Sequence, residues 1–230
     1  MHDYGQPIAA PTDDADLQPR DNEHWLTRRT GIAPTPAPPN RLSRRAVLDE
    51  ASRPTAPEPA PEVAFTPRGI NLGRHLLDVH DHYRQELAEV RDLLERVAKG
   101  ITAAAQARGE LNKFALRAND WALGGLCQRQ CVSLIQHHTM EDEAIYPHLR
   151  SRQRSLSEVL DRLEAEHHAI GDLLEEIDAA LIHLARNPTD IGPVAEAVDL
   201  LTDTLLSHFA YEERELIGPL AQHGFYGGQL

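Results

Sequence analysis

The chain of 230 residues carries 36 acidic against 23 basic side chains, a formal net charge of -13 and a pI near 5.4. That balance excludes nucleic acid as a partner, because a phosphate backbone needs Lys and Arg to neutralise it, and it argues equally against an anionic membrane surface. No run of about 18 apolar residues exists to span a bilayer, and the N-terminus lacks the apolar stretch of a signal peptide, so Arg28-Arg29 and Arg44-Arg45 are not export signals.

Residues 1 to 67 hold twelve of the 16 prolines, in runs such as Ala33-Pro-Thr-Pro-Ala-Pro-Pro39 and Ala56-Pro-Glu-Pro-Ala-Pro-Glu62. Apolar periodicity is missing there, so this segment is expected to be a disordered Pro-rich tail, with Trp25 and its neighbouring arginines as solvated linker. Residues 68 to 230 change character, with apolar side chains at helical spacing and no alternating run that would suggest a strand. They are expected to form one all-α domain.

Within it, helix one is expected from Ile70 to Ala98, with Gly100 as its stop. Ile101 to Leu116 reads as a short helix or an irregular crossing. Helix two, capped by Asn119-Asp120, carries Trp121, Leu123, Leu126, Leu134 and Ile135 and reaches Pro147. Its Cys127 and Cys131, the only cysteines of the chain, read as small core fillers in a reducing cytoplasm. Ser155-Leu-Ser-Glu158 reads as a capping box opening helix three, which ends before Asn187-Pro188. Helix four starts near Asp190, accepts Pro193 in its first turn and fades at Gly218-Pro219. Four long amphipathic helices joined by a short link between the last two predict an antiparallel four-helix bundle.

A weak internal duplication runs through these helices. His80 followed by His137-His-Thr-Met-Glu141-Asp142 is echoed by His167 followed by His208-Phe-Ala-Tyr-Glu212-Glu213. At about 100° per residue, His80 falls on the stripe of Leu76, Tyr83, Leu87, Val90 and Leu94, whereas His75, His82 and Glu86 face water. His167 shares a face with Leu160, Leu163, Ile170 and Leu174, and His168 is opposite. His208 and Glu212 share the face of Val194, Leu201 and Leu205, and Glu213 points away. His137 and Glu141 are preferred on helix two, with His138 at the flank.

Six inward ligands, His80, His137, Glu141, His167, His208 and Glu212, with no inward Lys or Arg, would destabilise an empty core, because a buried carboxylate is costly unless paired or bound to a cation. Imidazole and carboxylate donors suit iron, zinc or manganese. The pattern therefore predicts a metal centre.

From Leu72 to Leu220 the chain resembles the hemerythrin-like, HHE cation-binding family. The resemblance rests on Leu76-Leu-Asp-Val-His80, His137-His-Thr-Met-Glu141-Asp-Glu-Ala-Ile-Tyr-Pro147, Glu166-His167 and His208-Phe-Ala-Tyr-Glu212-Glu213. It implies two non-haem irons with the four histidines as terminal ligands and both glutamates bridging. Oxygen-carrying members have His-x-x-x-His on the third helix, but Gly171 stands four residues after His167, as in many bacterial members. Either a coordination position is open or another donor, such as His138 or a nearby tyrosine, fills it. Tyr83 and Tyr211 are candidates for a supporting role. The resemblance implies a protein that binds or senses dioxygen or a related small molecule. A redox enzyme acting on peroxide or nitric oxide and a metal-free helical interaction module are the alternatives, and the protein partner is unknown.

Overall fold

The computed structural model describes residues 25–107 and 132–225. These contain helices and no strand, and no described helix is long and apolar enough to cross a membrane. Cys127, Cys131, Trp121 and the Asn119-Asp120 cap lie outside the described residues.

A short helix α1 (Trp25–Thr30) is followed by an extended segment and then by α2 (Pro67–Ala107). Helix α3 (132–140) passes through a wide π-type turn, Glu141–Ile145, into α4 (Tyr146–Arg152). Helices α5 (Ser157–Arg186) and α6 (Gly192–His223) complete the bundle. On α2 the buried residues through Gly100 are Gly69, Gly73, Leu76, His80, Tyr83, Leu87, Val90, Leu94 and Val97, an alternation of four- and three-residue steps that makes one seam against the neighbouring helices. Helix α6 is different. It is buried on nearly every side, because α2, α4 and α5 pack around it and the N-terminal segment covers what remains.

Several boundaries depart from those expected. Helix α2 runs through Gly100 to Ala107; a single glycine costs only about 1 kcal/mol within a helix, and the Ala-rich stretch after it favours continuation. The predicted capping box does not form. Ser155 sits in a tight 3-10 turn and α5 opens at Ser157 without a side-chain cap, an approach that buries Leu156 completely. Helix α6 opens at Gly192, two residues after Asp190, whose carboxylate accepts from His183 Nε2 at 2.8 Å. Pro219 lies inside α6, which continues to His223 and stops where Gly224 adopts a φ of 64°.

The largest departure concerns the part of the expected tail that is described. Trp25 packs on α6 at Gly218, where an added Cβ would come within 2.7 Å of the indole ring. Leu26 and Ile32 are buried in the core formed with Leu149, Leu156 and Ile217. The Pro-rich run 57–63 has carbonyls with no internal partner, as extended proline segments do, and Arg29 gathers them, donating to Pro59 O at 3.0 Å and Val63 O at 2.5 Å. Composition alone suggested disorder. Buried anchors on either side and the low entropy of a proline-stiffened segment reverse that for residues 25–67.

Helices α2 and α6 approach closely at one end. A Cβ at Gly69 would lie 2.1 Å from the carbonyl oxygen of Ala221, whereas one at Gly171 on α5 would meet nothing within 4 Å. Gly69→Ala is therefore expected to destabilise the protein by roughly 1–3 kcal/mol through overpacking, and Gly171→Ala to stabilise it by about 0.5–1 kcal/mol through restriction of the unfolded chain. Urea unfolding of the two variants checks this; shifts of the same sign would contradict the close approach.

Candidate metal centre

Each of the four bundle helices delivers a histidine to the axis, as the helical spacing predicts. His80 comes from α2, His137 and His138 from α3, His167 from α5 and His208 from α6. Glu141 follows in the π-type turn. That turn precedes Pro147, which lacks the N–H that would bond to Glu143 and whose ring crowds that carbonyl, so the helix widens there. Glu212 lies one turn after His208 on α6.

The donors form two groups. Atoms of His80, His137, Glu141 and Glu212 lie within 4.8 Å of one another, and so do those of His138, His167 and His208. Glu141 Oε2 is 3.7 Å from His167 Nε2, and Glu212 Oε2 is 3.8 Å from His208 Nε2, so both carboxylates also reach toward the second group. The helical wheel left His138 at the flank. Here it faces inward with its ring stacked on His167 at 4.0 Å, and the neighbouring residues His137 and His138 each join one of the two groups. It supplements His137 and supplies a fifth imidazole, which position 171 does not.

Three carboxylates that sequence reasoning did not assign decide how the imidazoles point. Asp142 Oδ1 accepts from His167 Nδ1 at 2.8 Å, Glu166 Oε2 from His208 Nδ1 at 3.1 Å, and Glu213 Oε1 from His80 Nδ1 at 2.9 Å. An ionised carboxylate can only accept, so each Nδ1 carries the hydrogen and each Nε2 presents its lone pair to the axis. His167 Nε2 and His208 Nε2 then face each other 3.1 Å apart. Two lone pairs at that distance repel unless a cation or a proton lies between them. Glu213 is completely buried and was misplaced by the wheel: it turns from the axis of its own helix but toward His80 on α2. The available signal was the acid beside each ligand, in Glu141-Asp142, Glu166-His167 and Glu212-Glu213.

Two arginines also reach inward where none was expected. Arg84 Nη2 donates to Glu213 at 2.6 Å, and Arg53 Nε donates to Glu166 at 2.7 Å. Neither touches Glu141 or Glu212, so the central carboxylates have no basic side chain of Lys or Arg against them among these contacts. His80 Nε2, His137 Nε2, His138 Nε2, both oxygens of Glu141 and Glu212 Oε2 are buried without a hydrogen bond. Orphaned atoms of this kind are rare in folded proteins. Here these six converge.

The titration behaviour follows. Burial pushes His137 down to about 3 and lowers His138 as well, with nearby imidazoles adding to both. Burial, then the neighbouring Glu212, holds the Glu141 carboxyl well above the usual range. Burial alone would raise Glu212 too, but His80 and the other imidazoles outweigh it and hold that carboxyl low. Burial disfavours a charged His80, yet Glu212 and Glu213 together raise it.

The supporting tyrosine is neither of the two expected. Tyr146, fully buried, donates to Glu212 Oε1 at 2.8 Å and lies 3.5 Å from His167 Nε2. Tyr83 sends its hydroxyl to Ser133, and Tyr211 sends its own to the carbonyl of Pro54, although the Tyr83 ring stays 5.4 Å from that of His137. The exposed His75, His82 and His168 stay outside the centre, as predicted. Glu86, expected in water, is half-buried and borders an apolar cavity of about 30 Å³ shared by Tyr83, Leu134, Leu174 and Leu205. Those four residues lie one or two turns from His80, His137, His167 and His208 respectively, and none of the donors lines the cavity.

The donor set and the orphaned atoms fit a cation. Residues 71–220 match the model of the hemerythrin HHE cation binding domain. No curated protein and no solved structure matches the chain. With the family match spanning most of the chain and the histidine and glutamate donors brought together on four helices, this protein belongs to the hemerythrin HHE cation-binding domain family.

Proposed function

We propose that this protein is a non-haem di-iron protein that binds or senses dioxygen or a related small molecule. The observation that carries the reading is the pair of buried donor groups, with Glu141 and Glu212 belonging to one and both reaching toward the other. His80 and His137 would hold one ion, His138, His167 and His208 the other, and the two glutamates would serve both. Ions held by imidazole and carboxylate donors supply Lewis acidity and reversible electron transfer to a small ligand.

The chain's own residues set the conditions. A cavity of about 30 Å³ admits a molecule of very few atoms, and its leucine and valine walls disfavour charged or strongly hydrated species. Burial, then Glu212, holds Tyr146 well above the usual phenol range, so its hydroxyl keeps its hydrogen and donates at neutral pH. That hydrogen orients one oxygen of Glu212 and leaves the other facing the histidines. A reducing, cytoplasmic setting goes with this reading. A redox activity on peroxide or nitric oxide draws support from the same hydroxyl as a hydrogen donor, and is tested by iron-dependent consumption of either compound.

Elemental analysis after iron-supplemented expression is expected to give two irons per chain, falling to about one in His138→Ala and staying at two in His82→Ala. Mixing the reduced protein with oxygen is expected to produce a visible absorption band; a spectrum that never changes would reject dioxygen as ligand. Glu141 gives a second check in metal-free protein. A carboxyl raised in the folded state contributes stability below the unfolded value of 4.5 and loses it as pH rises. Glu141→Gln is therefore expected to lower iron content while stabilising the metal-free form at pH 7 by about 1–3 kcal/mol, measured as urea unfolding at pH 5 and 7. A variant that binds iron normally would contradict the bridging role.

A further inference from the structure

We propose that Arg53 is a positioning residue for the metal centre, acting from the N-terminal segment through Glu166 on His208. The inference rests on the metal-centre reading above and extends it to a part of the chain outside the bundle. Arg53 is set into the surface with its side chain only 9% exposed. Its Nε donates to Glu166 Oε1 at 2.7 Å and its Nη2 to Glu166 Oε2 at 2.9 Å, a two-point fork. Glu166 Oε2 also accepts from His208 Nδ1 at 3.1 Å. One carboxylate oxygen therefore joins the arginine to the imidazole.

The surroundings keep that arginine in one place. Its Nη1 donates to Ser207 Oγ at 2.9 Å, on the residue preceding His208, and its guanidinium lies 4.7 Å over the ring of Tyr211. The Tyr211 hydroxyl bonds back to the carbonyl of Pro54, next to Arg53. The segment is also held on the bundle by contacts away from Arg53. The Leu42 and Ser43 N–H groups both donate to Asp203 at 2.8 Å, the Ala56 N–H donates to Glu215 at 2.6 Å, and Arg45 pairs with Glu176 on the exposed face of α5.

Physically, the fork does two things. It gives a carboxylate of 2% exposure two charged donors, and it fixes the plane of that carboxylate. A fixed Glu166 holds its oxygen 3.1 Å from His208 Nδ1, which keeps the ring oriented with Nε2 aimed at the centre. Without Arg53, Glu166 would be free to turn away from His208, and the ring would lose the acceptor that sets its orientation.

The test compares full-length Arg53→Ala, Arg53→Lys and Arg45→Ala, each loaded with iron. Arg53→Ala is expected to release iron to a chelator about tenfold faster than the unaltered chain and to shift its visible absorption. Arg53→Lys, which keeps the charge without the fork, is expected to fall between the two, and it carries the test should Arg53→Ala fail to fold. Arg45→Ala loosens the same segment away from Glu166 and is expected to behave as the unaltered chain. Equal effects of the arginine variants at 45 and 53, or unaltered release and spectrum in both Arg53 variants, would overturn the proposal alone. An unaltered chain that holds no iron would overturn the metal-centre reading and the proposal with it.

Discussion

Asp142, Glu166 and Glu213 each take the Nδ1 hydrogen of a histidine on another helix, and the rest of the centre depends on that exchange. Once the hydrogen is fixed on one ring nitrogen, the other must offer a lone pair, and the fold directs all of these inward. Lone pairs and carboxylate oxygens crowded into a space closed to water form an arrangement of high energy when empty. The bundle tolerates it because the surrounding apolar layers, Tyr83 to Leu94 on α2 and Ile170 to Leu184 on α5, hold the helices in register from one side. Leu149, Leu156, Leu160 and Ile217 do so from the other. The centre thus lies between two apolar cores and is stabilised by neither directly.

A second constraint follows from the central position of α6. A helix enclosed by three others cannot place acids such as Asp203, Glu213 and Glu215 against solvent, and it does not. Backbone N–H groups of Thr35, Leu42, Ser43 and Ala56 donate to these carboxylates from the N-terminal segment. Extended backbone is suited to this task because its N–H groups are not already engaged in a ladder or a helix. Proline-rich composition, which leaves the remaining residues' N–H groups unpaired and the chain stiff, becomes a means of covering a charged helix face.

How much of this was legible in the sequence depends on the range of the interaction. Helical period placed His80, His167, His208 and Glu212 correctly, since a 3.6-residue repeat reports which residues share a face. It failed at Glu213 and His138. A wheel built from one helix treats inward as a single direction, while a residue 100° away meets a different neighbour, and whether that neighbour offers an imidazole or water is set by packing. Local rules failed at Ser155 and Gly100, where burial of Leu156 and a favourable Ala-rich continuation outweighed capping and stop preferences. The segment from Trp25 to 66 was the least legible. Its anchors, Trp25 on Gly218 and Arg53 on Glu166, join residues more than 100 positions apart, and composition carries no information about such pairs.

The central claim is that two cations sit between these histidines. Crystals of the iron-loaded protein, measured at the iron absorption edge, test it most directly through an anomalous difference map. Two peaks are expected roughly 3.5–4 Å apart, one against His80 and His137 and the other against His138, His167 and His208, with Glu141 and Glu212 between them. A single peak, or peaks confined to exposed histidines such as His82 and His168 with the core empty, would contradict it.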